Sequence, residues 1–401
     1  MNILFLSLLY HPDDAKQIGA LSNVGMQNQA SGFQWAMIEG IKNNLRPGET
    51  ISILNALPVG TYPKQYRKLW LQNKSYGKLF TEIGSLNLPY CKQKRRERAA
   101  RWKIERWMEQ SDQNRMIVLY SLYLPYLRAV AAAKERHPDL KACVIVTDLP
   151  GNLGLASGRQ GLLKTIENRM GEQSMRLVSR MNGFILLTEQ MAEPLRIQGK
   201  KRCVIEGLTS EWGIAPEAIT VPPDDRPAVL YTGTLNRELG IGELLQAFET
   251  LNDCQLWLCG CGDMEDAIRE AEKKCDNITY FGFVSQANAV YLQGKAAILI
   301  NPRTNQGAYT RYSFPSKTME YMRAGKPVLC CKLDGIPEEY NEYLTYMEPQ
   351  NAAGMRTAIQ AMLQKPQNER DGIGRRAKEF VLSQKNNSTQ GKKAVDLLRL
   401  L

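Results

Sequence analysis

Apolar positions along the chain fall into short continuous runs, separated by stretches whose apolar residues recur every three or four positions. In the first half the continuous runs occupy Asn2–Ser7, Thr50–Asn55, Arg115–Ser121, Ala142–Thr147, Gly183–Thr188 and Arg202–Glu206. Runs of this length, bounded by turn residues, predict strands buried on both faces. The periodic stretches between them predict helices, for example Gln29–Leu45, Tyr126–His137 and Thr165–Arg180. The second half repeats the scheme more sharply. Strands are expected at Ala228–Thr232, Gln255–Cys259, Ile278–Phe281, Ala297–Asn301 and Pro327–Cys331, with helices at Ile241–Leu251, Met264–Lys274, Gln286–Gly294, Pro315–Ala324 and Ala352–Gln364. This alternation predicts an α/β chain of two doubly wound domains, each a parallel sheet with helices on both faces. The aperiodic, proline-rich "SEWGIAPEAITVPPDDRP" separates the two halves. Residues 207–226 are therefore expected to link a first domain, 1–206, to a second, 227–385, with 386–401 forming a closing helix. In doubly wound folds ligands gather at the carboxyl ends of the strands, here in a cleft expected between the domains.

Composition narrows the class. The chain has 401 residues, 43% of them hydrophobic and 23% charged, as expected of a folded rather than a disordered protein. No apolar run approaches the roughly 20 residues that span a bilayer. The opening "MNILFLSLLYHPDD" lacks a basic flank and a small-residue cleavage site, so it reads as a first strand rather than a signal peptide. Nine cysteines are scattered, and Cys259-Gly-Cys261 has the wrong spacing for zinc. Free thiols in a reducing cytoplasm are expected. No isolated Asp-x-Asp metal site stands out. The net charge of +11 is uneven: residues 1–205 carry 30 Lys+Arg against 16 Asp+Glu, and residues 206–401 carry 22 against 25. The first half therefore favours an acidic partner.

The stretch "RYSFPSKTMEYMRAGKPVLCC", Arg311 to Cys331, holds the most specific chemistry. Pro315 suits a first helical turn, Ser313 and Ser316 can each cap it, and the amides at such a helix start attract phosphate. Lys317 adds a full charge, and Glu320 follows about one turn later, where a carboxylate can grip ribose hydroxyls. An ordinary capped helix with a surface charge pair fits the same residues. Upstream, "AVLYTGTLNRELGIGELLQAF" runs a strand into Gly233-Thr234, with Arg237 in the following loop; a routine strand-to-helix loop is the plainer reading. "LWLCGCGDMEDAI" places Asp263 as a helix N-cap. "ITYFGFV" sets Gly282, Phe283 and Val284 at a strand end, where backbone can meet a base edge, or where Phe283 simply packs.

Taken together, "YTGTL…GIGELLQAF", "LWLCGCGDME", "ITYFGFV", "ILINPR", "FPSKTMEYMRAGKPVL" and "LDGIPEEY" resemble the retaining glycosyltransferases of family 4, which have the GT-B fold. The likeness covers roughly residues 228–340. It implies that Glu320 binds a donor ribose and that the helix start at Ser316, Lys317 and Thr318 holds a diphosphate. Two positions depart from the family pattern. Its first glutamate, eight residues before Glu320, is Tyr312 here, and its loop Arg and Lys correspond to Thr234 and Leu239. Neutralising the diphosphate then falls to Arg237, Arg311 or Lys317. The resemblance further implies retention of configuration, no metal and no cofactor beyond the nucleotide-sugar substrate, and a last helix that returns to the first domain.

In the first half, "GALSNVGMQNQASGFQWAMIEGI" suits a glycine loop facing phosphate, with Gly19 or Gly25 at the approach. His11, one of two histidines, follows strand one and is either catalytic or structural. Asp148 ends a strand and either orients sugar hydroxyls or caps a turn. "KQKRRERAARWKIERWM", Lys92 to Met108, is a basic helix that either lies on an anionic membrane or presents a solvated face. No nucleic-acid module accompanies it. The expected activity is sugar transfer to a sugar or lipid-linked acceptor of a cell-surface polysaccharide, in the cytoplasm or on the inner membrane face. A non-catalytic nucleotide-sugar binder and a sugar-nucleotide epimerase are the alternatives.

Overall fold

The computed structural model describes residues 1–110, 114–150, 162–209 and 215–401. Two compact units divide the chain: Met1–Leu208 with Asn387–Leu401, and Thr209–Asn386.

The first unit runs β1 (Asn2–Ser7), α1 (Pro12–Leu21), α2 (Asn28–Asn43), β2 (Thr50–Asn55), β3 (Trp70–Leu71), β4 (Lys74–Tyr76), β5 (Phe80–Glu82), β6 (Ser85–Leu86), α3 (Cys91–Glu109), β7 (Arg115–Tyr120), α4 (Leu124–Arg136), β8 (Lys141–Val146), α5 (Leu162–Val178), β9 (Gly183–Leu186) and β10 (Lys201–Val204). Its sheet has the order β10-β9-β8-β7-β1-β2-β5-β4. Every pairing is parallel except β4 with β5. β3 and β6 form a separate antiparallel pair. Helix α1 was not foreseen. Pro12 opens it and His11 caps it, with Nδ1 accepting from the Asp13 amide at 3.4 Å. The expected glycine loop is therefore corrected at Gly19, which lies inside α1, where its amide belongs to the helical ladder. Gly25 remains in the loop before α2, with open space around it.

The second unit runs β11 (Ala228–Thr232), α6 (Ile241–Phe248), β12 (Gln255–Cys259), α7 (Glu265–Lys274), β13 (Ile278–Gly282), α8 (Gln286–Lys295), β14 (Ile298–Asn301), α9 (Ser316–Ala324), β15 (Val328–Cys330), β16 (Thr345–Tyr346), α10 (Ala352–Gln364) and α11 (Gln367–Gln384). Its sheet, β13-β12-β11-β14-β15-β16, is parallel throughout. Strand order reverses at β11, so the ends of β11 and β14 form the switch point where such sheets take ligands. Part of the expected linker, 210–214, lies outside the described residues.

The closing helix α12 (Asn387–Leu400) belongs to the first unit and packs on α2. The crossing is close because it joins two glycines: a Cβ on Gly391 would stand 2.2 Å from the carbonyl carbon of Gly40. Ala394, Val395, Leu397 and Leu398 are buried in the same cluster as Met37, Ile38 and Ile41.

Not all the cations of the basic helix α3 share its exposed face: Arg95 and Arg98 are exposed, whereas Arg96 is turned inwards. Residues 92, 96, 100, 104 and 108 form its buried stripe, and Arg96 is only 2% exposed. Its guanidinium donates to the Leu57 carbonyl at 2.6 Å and to the Tyr123 hydroxyl at 3.2 Å. Those partners keep a cation where the helix needs its long stem for packing. Lys92, one turn earlier, is also buried and donates to the Val59 carbonyl. Burial, then the Arg96 charge, pushes its pKa down to about 7. An unfolded lysine titrates near pH ~10.4. Between these values the unfolded chain holds a proton that the folded chain lacks, so this group makes stability rise with pH. Replacing Lys92 by Met should remove up to about 1.4 kcal/mol per pH unit of that rise. Urea unfolding of parent and variant between pH 7 and 10 measures it, and a constant difference across the window would contradict the assignment.

All nine cysteines are free thiols. Among the described residues no helix is long and apolar enough to cross a membrane, and no cluster of three metal-ligating side chains occurs.

Candidate functional site

Three strands of the second sheet, β11, β12 and β13, end at glycines, and this shapes the site. The Gly233 amide, after β11, donates to the Cys259 carbonyl at 2.9 Å, and the Gly260 amide, after β12, donates to the Gly282 carbonyl at 2.8 Å. Gly260 has φ +136°, and a Cβ there would fall 1.7 Å from the Gly233 oxygen. Only glycine permits this approach.

Lys317 and Glu320 stand one turn apart on α9, with Lys317 Nζ 2.9 Å from Glu320 Oε2. The other carboxylate oxygen, Oε1, accepts from Gln293 Nε2 at 2.9 Å. Gln293 projects from α8, is 2% exposed and also reaches Thr232 Oγ1 at 3.4 Å. Below them, the Tyr321 hydroxyl accepts from the Thr232 amide at 2.8 Å and donates to its carbonyl at 3.0 Å. The Lys317 stem passes beside Gly233, its Cε 3.6 Å from where a Cβ would be. Glu320 is thus fixed through both oxygens while a quarter of its side chain stays open to solvent.

The start of α9 differs from expectation. Pro315 is the N-cap residue and no side chain caps the helix. Ser313 Oγ instead donates to the Tyr309 carbonyl at 3.1 Å and accepts from Arg303 at 2.9 Å, and Ser316 is exposed. The helix supplies no partner for the amides of Ser316 and Lys317. Thr318 is corrected as a donor-binding residue. Its side chain is fully buried, accepting from Asn301 Nδ2 at 3.2 Å, and its amide donates to the Pro315 carbonyl at 2.8 Å. Asp263 is likewise not the cap of α7; its Oδ1 accepts from the Arg237 amide at 2.9 Å.

Among the cations, Arg237 is exposed, and Arg311 lies 4.0 Å from Asp334. Sequence reasoning missed Arg303, just after β14. Its guanidinium is 4.9 Å from the Tyr309 ring, its Nε has no hydrogen-bond partner, and burial lowers its pKa. Through Ser313 it places positive charge beneath the approach to α9. Tyr312 is half-buried in a short 3-10 turn. Thr234 is exposed and its carbonyl accepts from the Tyr231 hydroxyl at 2.9 Å. Phe283, at 82% exposure, presents an open ring after β13, with Val284 half-buried beside it. In the first unit, Asp148 is exposed beyond β8, while His11 stacks on Tyr76 with ring centroids 3.6 Å apart. His11 thus joins the start of α1 to β4 through its capping bond and this ring contact.

No curated protein matches the sequence. Residues 226–365, within the second unit, match the family described as glycosyl transferases group 1. Among solved structures, sucrose-phosphate synthase from Thermosynechococcus elongatus superposes with TM-score 0.65 at 16% identity, covering 100% of this chain and 98% of that one. The E. coli trehalose-6-phosphate protein bound with UDP-2-fluoro glucose gives 0.64 at 9%, covering 100% and 99%. HepE of Anabaena in complex with UDP gives 0.61 at 14%, covering 100% of both. The chain therefore has the GT-B fold of two Rossmann-like domains.

Proposed function

We propose that the chain transfers a sugar from a nucleoside-diphosphate donor, a UDP-sugar, to an acceptor hydroxyl, with retention of configuration, in the building of a cell-surface polysaccharide. The observation that carries this reading is the Lys317–Glu320–Gln293 arrangement beside Gly233. Gln293 and Lys317 orient the Glu320 carboxylate, and its remaining lone pairs suit two adjacent ribose hydroxyls. The amides of Ser316 and Lys317, the helix dipole and the Lys317 ammonium suit a diphosphate, whose charge grows as the sugar departs. Phosphate at Lys317 exchanges one anionic partner for another, so the cation is held in place before donor arrives. Arg303 adds a second charge where the family's loop cations are absent. The UDP and UDP-2-fluoro glucose bound to two similar structures support a uridine donor.

The test is nucleotide release from a panel of UDP- and GDP-sugars, with and without acceptor glycans. Acceptor-dependent release from one donor is expected. Epimerised donor without release, or binding without turnover, would replace the transferase reading.

An anionic membrane is the proposed location of the acceptor. Arg95, Arg98 and Arg106 lie on the exposed face of α3 around Trp102, which is 53% exposed. Changing all three to Gln should cost about 3 kcal/mol of binding to phosphatidylglycerol vesicles, at about 1 kcal/mol per charge. Unchanged co-sedimentation would leave a solvated face.

A further inference from the structure

The first unit holds a cavity of about 150 Å³ bounded by α1, β3, β4 and the end of β5. Asp14, Glu82, Lys74, Tyr66 and Trp70 line it. Volumes of this scale admit a single six-membered ring. Its walls are unlike an apolar void. Glu82 is 3% exposed, accepts from Asn55 Nδ2 at 3.0 Å, and is pushed towards its protonated form by burial. Asp14 receives hydrogen bonds from Lys74 and Tyr76. Carboxylates, an ammonium and phenols at short range can satisfy the several hydroxyls of a sugar. Trp70, 57% exposed, offers an aromatic wall on which the face of a sugar ring can lie.

The cavity does not end there. It shares Trp70, Leu71 and Gln72 with a second hollow that reaches Ser85 and Arg95, and Asn73, Gly84 and Arg95 continue that hollow to Arg98 and Trp102. Ser85 is 4% exposed, yet its hydroxyl has no hydrogen-bond partner. A buried hydroxyl left unpaired costs free energy, so a ligand group at this wall would satisfy it. The Arg95 guanidinium sits 5.4 Å from the Trp70 ring, and Arg98 follows on the same exposed face of α3. The order along the groove is a ring-sized polar cavity, an aromatic wall, a hydroxyl and then two guanidiniums.

We propose that this groove binds a sugar joined to phosphate, with the sugar ring in the cavity of Glu82, Asp14 and Lys74 against Trp70, and the phosphate on Arg95 and Arg98. This deepens the transferase reading, on which it rests, by assigning the acceptor as a glycosyl phosphate. Residues 92 and 96 of the same helix are turned inwards, so the two arginines that face the groove are separate from those that hold the fold.

Calorimetric titration of the full chain with glucose, galactose and N-acetylglucosamine 1-phosphates, their methyl glycosides and inorganic phosphate tests the assignment. At least one sugar phosphate should bind more tightly than both its methyl glycoside and phosphate alone. Trp70→Ala should weaken the sugar phosphate and the methyl glycoside about tenfold, whereas Trp70→Phe should restore both. Arg95→Gln with Arg98→Gln should weaken the sugar phosphate at least about tenfold and leave the methyl glycoside unchanged. Trp70, Arg95 and Arg98 project from the surface, so these variants should fold, and UDP binding should match the parent in each. Three results would overturn the proposal: no member of the panel binds, phosphate alone binds as well as the sugar phosphates, or Trp70→Ala binds as the parent does. Binding of the protein to anionic vesicles, with none to the soluble sugar phosphates, would leave Arg95 and Arg98 to the lipid surface alone and overturn the groove assignment. If UDP-sugar turnover persists while the sugar phosphates fail, only the groove assignment falls; if no UDP-sugar binds, the transferase reading falls first.

Discussion

Ending the chain at Asn386 is expected to unfold the first unit and leave the second folded. The removed helix α12 contributes Val395, Leu397 and Leu398 to the core, each at most 5% exposed. At about 1.5–3 kcal/mol per buried side chain, three of them amount to roughly 5–9 kcal/mol, the scale of a whole domain's stability. The polar ties lost with them include Arg399 to Glu49 at 3.1 Å and Asn387 to Glu39 at 3.0 Å. A gentler variant, Gly391→Val, leaves the helix but forces the Gly40 backbone away, at a cost of about 1–3 kcal/mol or more. Hydrogen exchange resolves the units: protection should vanish in β1, β2 and α2 and persist in β11 and β14. Parent-like protection of α2 in the truncated chain would show that the fold does not depend on this packing.

Substitutions at Lys317 and Glu320 should separate into a rate defect and a binding defect. Glu320→Gln keeps the size but replaces one oxygen by an amide that donates. Gln293 and Lys317 both donate towards this position, so the new NH2 faces a donor on one side or the other. Ribose binding then loses a charge-assisted acceptor, and donor affinity should fall by about 1–3 kcal/mol, or roughly five- to 150-fold. Lys317→Ala leaves Glu320 on Gln293 and frees Oε2 for the ribose, so binding should change little. The lost ammonium is missed mainly as charge develops on the departing diphosphate, so kcat should fall further than donor affinity. Steady-state kinetics with a matched donor and acceptor separates the two. Equal losses in affinity and kcat for both variants would argue against the division of roles.

The strands of both sheets were legible because parallel strands covered on both faces must be apolar along their whole length, as in "ILFL" and "CVIV". β3 to β6 and β16 were not, since pieces of two or three residues have no period to read. Helix α1 left only its Pro12 start as a signal, because "DDAKQ" hides the apolar face. On α3 the charged sequence concealed Lys92 and Arg96, although Ala100, Ile104 and Met108 at steps of four trace the stripe that buries them. The site shows the same limit. Gly233, Lys317 and Glu320 were readable because the strand–glycine and helix-start patterns are local. Gln293 and Arg303 take their meaning from contacts with Glu320 and Ser313, from 10 to 27 residues away, which periodicity does not report. His11 reads from the sequence as either catalytic or structural, and the contacts it makes, a helix cap and a stacked tyrosine, are again beyond the reach of periodicity.

The ribose assignment of Glu320 is tested most directly by titrating parent and Glu320→Gln with UDP and with 2′,3′-dideoxy-UDP. The parent should prefer UDP by about tenfold or more, the expected worth of two hydroxyls on a carboxylate, and Glu320→Gln should lose most of that preference. A variant that still discriminates between the two nucleotides as the parent does would place the ribose elsewhere and contradict the donor site at α9.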